Sequence, residues 1–422
     1  MADGDIGRTV EAVWRIESGR LVAGLARLVR DVGLAEELAQ DALVAALEQW
    51  PAEGVPRNPG AWLMAVGRRR AVDLIRRQEN LDRKHAELGR ALDVEGAAAG
   101  ADVEVAAALD AHIGDDMLRL VFIACHPVLP PEGRIALTLR LLGGLGTADI
   151  ARAFLVPEPT VAARITRAKK ALAKAGVAFG TPEPDELPAR LASVLEVVYL
   201  IFNEGYAATS GGDWMRPALC EEALRLGRVL AGLMPAEPEA HGLAALLELQ
   251  ASRARARTGP DGAPVLLLDQ DRARWDHLLI GRGLASLGRA AALAGPSPLG
   301  PYALQASIAA CHARARVAAE TDWVRIAALY EALARALPSP VVELNRAVAV
   351  SMAFGPAAGL ALADELTRAP ELARYHLLPA VRGDLLDKLG RREEARAEFE
   401  RAAALTANAR EQAVLRGRAA AC

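Results

Sequence analysis

Aromatic residues make up only 4% of these 422 residues. Runs of β-branched residues are scarce as well, which excludes a fold built on sheets of Val, Ile and stacked rings. Cysteine is sparse: Cys125, Cys220, Cys311 and Cys422 are far apart and show no CxxC spacing. A disulfide framework is not expected, and reduced thiols in a cytoplasmic protein are. Cys125–His126 and Cys311–His312 form two CH dipeptides, but adjacent ligands on a helix point apart, so they read as buried small residues and no metal is expected. No apolar run reaches the ~18 residues of a membrane span, and no leader signature opens the chain. Leu118–Leu129 is the most apolar stretch, and it is short and crowded by Pro127, Pro130 and Pro131. The formal net charge of −3 argues against a protein that coats nucleic acid everywhere. P-loop, GxSxG and HExxH motifs are missing and the seven histidines are scattered. No catalytic residue, enzymatic activity or cofactor is therefore expected.

What is present favours helices. The chain is rich in Ala, Leu, Arg and Glu, which lose little on entering a helix. The length exceeds the ~250–300 residues at which single cores stop growing, so several domains are expected. Residues 8–78 predict one helical unit, with Val10, Val13, Trp14, Leu21, Leu25 and Leu28 at helical intervals. In Gly33–Trp50, Leu34, Leu38, Ala42 and Ala45 share a face that Glu37, Asp41 and Glu48 avoid. Pro51–Pro59 predicts a break. Gly60–Gln78 follows as a helix with Trp62, Leu63, Val66, Val72 and Ile75 on its apolar side and Arg68, Arg69, Arg70, Arg76 and Arg77 on the other. Trp62 is expected in the core. Residues 79–116 read as a flexible linker, 117–178 as a second unit, 179–188 as a Pro-rich acidic hinge, 189–406 as successive helices, and 407–422 as a fraying tail.

The densest signal is Leu141–Leu172, two short helices joined by a tight turn over Leu155–Glu158. The first, Thr147–Phe154, is expected to be capped by the Thr147 hydroxyl. The second opens at Pro159, buries Val161, Ile165 and Ala168, and projects Thr160, Arg164, Arg167, Lys169 and Lys170. No acidic residue occurs from Pro159 to Lys174. A helix-turn-helix of this kind lays its second helix in a DNA major groove, against the plainer reading of a basic solvated helix.

Two basic helical modules on a tether point to bipartite DNA reading. With AEELAQDALVAALEQW and NPGAWLMAVGRRRAVDLIRR, residues 8–78 resemble domain 2 of bacterial extracytoplasmic-function sigma factors. Residues 117–178 resemble their domain 4. The ordered pair carries the resemblance more than the helix-turn-helix alone. It implies an all-α fold: two small sigma domains, the second a helix-turn-helix, then a helical extension. It also implies docking of Leu34–Trp50 on the β′ clamp helices of core RNA polymerase through Glu37 and Asp41, with the β flap as a further contact. Arg57 and Asn58 in the loop before the third helix would capture a flipped base of the −10 element. Arg68, Arg69, Arg70, Arg76 and Arg77 would hold phosphates, which supply affinity rather than sequence. Thr160, Arg164, Arg167, Lys169 and Lys170 would meet the −35 element, with Arg164 and Arg167 as guanine readers and both lysines on phosphates. The plainer alternatives remain a solvated face for Glu37 and Asp41 and an ordinary capped loop for Arg57 and Asn58.

The rear half resembles the extension of one subgroup of these factors, through VVYLIFNEGY (Val197–Tyr206), LLLDQDRARWD (Leu266–Asp276) and GPYALQASIAACHA (Gly300–Ala313). In Tyr375–Leu405, Gly383, Leu386, Gly390, Ala395, Phe399 and Ala402 fall at the intervals of a tetratricopeptide repeat. A protein or peptide partner for that TPR-like end is implied, with regulation in cis. Asn203–Tyr206 and Asp269–Asp276 predict a buried salt-bridge network, with a ligand or polymerase contact as the alternative. The rival for the whole chain is a TPR-bearing regulator that binds duplex DNA without joining polymerase.

Overall fold

The computed structural model describes residues 3–89, 113–154, 156–207, 215–259 and 264–422. Among them the chain is all-α, as the composition predicts, with no β-pairing beyond an isolated bridge between Thr258 and Pro264. It divides into two compact units, Met1–Val197 and Val198–Cys422.

The first unit opens with α1 (Asp3–Val29), α2 (Val32–Glu53) and α3 (Pro59–Gly89). Val10, Trp14, Leu21 and Leu25 are buried as their spacing predicts, while Val13 and Leu28 are half-buried. Buried alanines at 23, 26, 35, 39, 42 and 46 let these helices approach closely, and Trp50 fills the space that remains. Half-buried Trp62 meets Trp50 edge-on at 5.4 Å and so belongs to the margin of this core. Asp31 caps α2 by accepting from the Leu34 N–H at 2.8 Å. Pro51 does not end α2, because in a last turn its missing N–H removes one bond only; the helix stops at Gly54, with φ of 84°.

Next come α4 (Ile113–Ala124), α5 (Pro131–Leu141), α6 (Thr147–Phe154) and α7 (Glu158–Lys174). The expected linker is shorter than 79–116: residues 79–89 continue α3, 113–116 open α4, and 90–112 lie outside the described residues. Nor do the two modules stand apart, since α1 packs on α4 and α5. Trp14 Nε1 donates to the Gly144 carbonyl at 3.1 Å. Gly144 has φ of 63° and lies over Ser18, where a Cβ would stand 2.5 Å from the hydroxyl oxygen.

The boundary falls inside α8 (Leu187–Tyr206), not at the expected hinge. Its first turns are tied to the first unit by polar groups. Arg134 Nη1 donates to Ser193 Oγ at 2.6 Å and Glu196 Oε2 at 2.9 Å. Ser193 Oγ donates to the Cys125 carbonyl at 2.5 Å, and Arg190 Nη2 to the Phe122 carbonyl at 2.9 Å.

In the second unit, α9 (Pro217–Leu233), α11 (His277–Ala294) and α12 (Pro301–Arg314) pack around the almost wholly buried α10 (Pro238–Ala251). Gly242 admits α12, since a Cβ there would stand 2.7 Å from the Ala303 nitrogen. From α13 (Trp323–Ala336) onward each helix packs on the next: α14 (Pro340–Phe354), α15 (Pro356–Glu365), α16 (Leu377–Lys388), α17 (Arg392–Leu405) and α18 (Ala409–Ala421). Phe399 is fully buried against Gly383. The expected fraying tail is α18: Asn408 caps it through the Arg410 and Glu411 N–H groups, and Leu415 and Ala419 are buried. No helix among the described residues is long and apolar enough to cross a membrane.

Candidate nucleic-acid interface

The α6–α7 pair has the predicted helix-turn-helix order, although Leu155 in the turn lies outside the described residues. The entry to α6 is held by Asp149, whose Oδ2 accepts from the Gly146 N–H at 3.2 Å, and not by Thr147, which is itself the first helical residue. Pro157 precedes α7 and Pro159 sits in its first turn, where a missing N–H costs nothing. Val161, Ile165, Ala168 and Leu172 are buried at helical spacing. The opposite side carries Thr160 and Arg164, both half-buried, and Arg167 and Lys170, both exposed. Arg167 Nε donates to the Ala163 carbonyl at 3.1 Å, so its guanidinium lies along its own helix.

Lys169 departs from the expected DNA-facing set. Its ammonium pairs with Glu36 of α2, a residue only 5% exposed. Arg140 Nε donates to the other oxygen of the same carboxylate at 2.5 Å. A buried acid therefore draws two cations of the helix-turn-helix module onto α2, because an ionised carboxylate away from water needs opposite charge beside it. The sequence pattern missed Glu36, which lies one residue from the exposed Glu37.

On α3, Arg69 and Arg76 share one face and Arg70 and Arg77 another. Arg69, Arg76 and Arg77 are exposed, and Arg68 and Arg70 half-buried. Arg70 Nη1 lies 3.1 Å from Asp41 Oδ2, which joins an expected phosphate contact to an expected polymerase contact. Arg57 is exposed. Asn58 caps α3, its Oδ1 accepting from the Ala61 N–H at 3.1 Å, so its carbonyl oxygen is engaged while its amide NH₂ stays available to a base edge.

Glu37 and Asp41 are both exposed. With them the structure presents Val44 and Leu47, each 49% exposed. Glu37, Asp41, Val44 and Glu48 recur at i, i+4, i+7 and i+11, which makes one acidic and apolar stripe. The sequence reading did not single out Val44 and Leu47, though both fall off the buried Leu38, Ala42 and Ala45 face.

The two Cys-His dipeptides follow different paths. Burial pushes the Cys125 thiol up to about 11, and it shares a hydrogen bond with Thr138 at 3.3 Å. His126 Nδ1 accepts from the Val128 N–H at 3.1 Å. Among the described residues no group of His, Cys, Asp or Glu is arranged to hold a metal ion.

Comparison with known proteins agrees with this geometry. Residues 16–80 match sigma-70 region 2, and residues 119–172 match sigma-70 region 4. Residues 190–291 match a family of unknown function, DUF6596. The chain is 48% identical over 407 residues to uncharacterized protein R00370 of Rhizobium meliloti (strain 1021), spanning 94% of this chain and 91% of that protein. It is 27% identical over 157 residues to ECF RNA polymerase sigma factor SigK of Mycobacterium ulcerans (strain Agy99), spanning 36% of this chain and 78% of that protein. No solved structure matches the chain. With region 2 and region 4 in order, and a helical part beyond them, the chain belongs to the extracytoplasmic-function type of RNA polymerase sigma factors, in a form that carries a C-terminal extension.

Proposed function

We propose that this sigma factor docks on core RNA polymerase through the outward stripe of α2 and reads a promoter at two places. Glu37, Asp41, Val44 and Leu47 meet the β′ clamp helices, acids steering and apolar side chains holding. Arg57 and Asn58 receive an extruded −10 base, and Arg68, Arg69, Arg76 and Arg77 hold phosphates around it. Arg164 reads guanine in the −35 element from α7, joined by Arg167 once its side chain leaves the helix, while Thr160 and Lys170 serve the backbone. Region 2 spans 8–78 and region 4 spans 117–178 in this reading. The extension, from 189 to its end, regulates in cis and is TPR-like in its last hairpins.

The observation that carries this reading is the two-sided α7: four buried apolar residues beneath, an acid-free cationic face above. A groove of about 430 Å³ lined by Val324, Val350, Phe354 and Leu362, with Glu331 and Arg346 at its polar side, supports a protein or peptide partner for the extension.

The test is in vitro transcription with core polymerase and the full chain, on the promoter upstream of its own gene. A transcript with one defined start site is expected. Duplex binding without any such transcript would replace this reading with that of a regulator that never joins polymerase.

A further inference from the structure

The second unit gathers three arginines around aromatic rings. Arg253 and Arg257 follow α10, and Arg272 lies in the DQDRARWD segment. Arg253 and Arg257 are 8% and 7% exposed. The Arg257 guanidinium carbon stands 3.5 Å from the centre of the Tyr206 ring, and its Nη1 donates to the Tyr206 carbonyl at 2.7 Å. Arg253 lies 6.0 Å from that ring and 5.9 Å from the Trp275 ring. Arg272 lies 4.7 Å from the Trp275 ring and donates to the carbonyls of His312 and Ala315 at 2.5 and 2.8 Å.

Of the acids nearby, Glu320 acts on Arg272 without pairing with it and accepts from the Arg316 N–H at 3.1 Å, and the others are used elsewhere. Glu204 pairs with Arg216, and Glu248 with Arg228. Asp271 and Asp276 spend their carboxylates on backbone N–H groups, capping the turn at Arg272–Arg274 and α11. The expected salt-bridge network is therefore not what the DQDRARWD segment builds. Among the described residues, neither Arg253 nor Arg272 has a carboxylate within ion-pair distance; Arg253 Nη2 meets the neutral Gln250 Oε1.

A second observation points the same way. Arg253 Nε, Trp275 Nε1, Gln270 Oε1 and His312 Nδ1 are buried without a hydrogen-bond partner, on residues each more than nine-tenths buried. Each such group loses the hydration it had in water, and those of Arg253, Trp275 and His312 fall in one cluster. Burial, with Arg253 and Arg272 adding like charge, pushes His312 down to about 3, so it adds no cation of its own at neutral pH. Ring faces and carbonyls offset part of the cost of the buried Arg253 and the half-buried Arg272, but no carboxylate pairs directly with either. A guanidinium fork matches the oxygen pair of a carboxylate or phosphate.

We propose that Arg253 and Arg272, with the unpartnered indole N–H of Trp275 beside them, form the binding site for a small oxyanion, the phosphate or carboxylate group of a metabolite. Arg257 and Tyr206 wall one side. The extension thereby binds a small molecule as well as any macromolecule, and this holds independently of how the front unit reads a promoter.

The test titrates the full chain with inorganic phosphate, and separately with acetate, at ionic strength fixed with sodium chloride, by calorimetry and thermal unfolding. Expected is saturable binding of one anion below about 10 mM, with a rise in Tm of about 2 °C at tenfold excess over Kd. Phosphate alone, acetate alone, or both would each support the site and name the group it prefers. Arg253→Gln and Arg272→Gln should each weaken binding at least tenfold, and Arg253→Lys less, since charge remains but the fork is lost. Helix content by circular dichroism checks that the variants fold, and two positions guard against one of them failing. A rise in Tm that never saturates and persists in the variants is solvent exclusion by phosphate, and it overturns the proposal. So does saturable binding that both glutamine variants retain, or no saturable binding of either anion.

Discussion

Two clusters, one in each unit, hold arginine in opposite ways, although the rear unit also has ordinary pairs such as Arg228 with the buried Glu248. In the front unit, cations meet buried acids. Glu36 holds Arg140 and Lys169, while Asp116, 1% exposed, holds Arg119 at 2.8 Å and Arg27 at 3.6 Å. In the rear unit, Arg253 and Arg272 face rings, carbonyls and a neutral amide. The front arrangement is a lock between modules, complete in itself. The rear arrangement leaves buried polar atoms unpartnered and pairs no carboxylate directly with Arg253 or Arg272. A buried pair gains little over an apolar contact but is costly to halve, so the front contacts specify one arrangement of α2 against α7. The rear cluster is open to the proposed anion.

Breaking the front lock should give the largest effect. Glu36→Gln leaves Arg140 and Lys169 facing a neutral amide in a nearly dry place. A loss of about 3 kcal/mol is expected in the protection of the α2 and α7 amides against hydrogen exchange. The same substitution frees Lys169 for phosphate. The salt dependence of duplex binding should then steepen by about 0.9 in slope, one contact more than in the parent. Unchanged protection together with an unchanged slope would show that Glu36 does not bind the modules together.

The rear cluster sharpens the comparison through pH. Burial and the two arginines hold His312 near 3, against an ordinary 6.5. As pH falls below 6.5 the unfolded chain takes up this proton first. The stability that neutral His312 contributes is therefore full above 6.5 and is lost on the way down to 3. The slope is at most about 1.4 kcal/mol per pH unit. Groups facing it are Arg253 and Arg272, with the Trp323 ring edge-on at 5.1 Å. His312→Asn removes the titration, so unfolding of the rear unit between pH 6 and 4 should become less steep. An identical pH profile in the variant would place the acid sensitivity elsewhere.

Much of the front unit was legible because helical period and cap chemistry are local. Val10, Trp14, Leu21, Leu25, Leu38 and Leu63 could be put in the core from spacing alone, and α6 and α7 from prolines and an acid-free run. Partnerships were not legible, because they join residues far apart in sequence. Glu36 and Glu37 look alike in the chain, yet one is buried against residue 169 and the other is exposed. Lys169 and Lys170 differ in the same way. The extent of α3 and the order of α18 were missed because composition marked both as polar, whereas Asn408 and two buried apolar residues fix the latter. Asp269–Asp276 read as a salt-bridge network from its composition, but two of its acids cap backbone N–H groups, and only coordinates distinguish a cap from a counter-charge.

The smallest effect on the fold should come from the exposed pair on α2 and α3, and its smallness is useful. Asp41 and Arg70 lie 3.1 Å apart with side chains 58% and 39% exposed. Water screens such a pair, and holding two side chains in one geometry offsets much of the attraction, so Asp41→Asn should change stability by no more than about 0.5 kcal/mol. Its effect on polymerase should be larger than its effect on folding. Asp41 lies on the same stripe as Glu37 and Val44, and a rim carboxylate acts mainly on the rate of encounter. The expected outcome is a several-fold slower association with core polymerase at low salt, a difference that shrinks as salt rises, and an unfolding curve that overlays the parent. Slower association with equal loss at every salt concentration would mean that the substitution had disturbed α2 itself. An unaltered rate would move the docking surface off this stripe. Because the pair contributes almost nothing to the fold, either result reads the surface directly, which the buried lock at Glu36 does not allow.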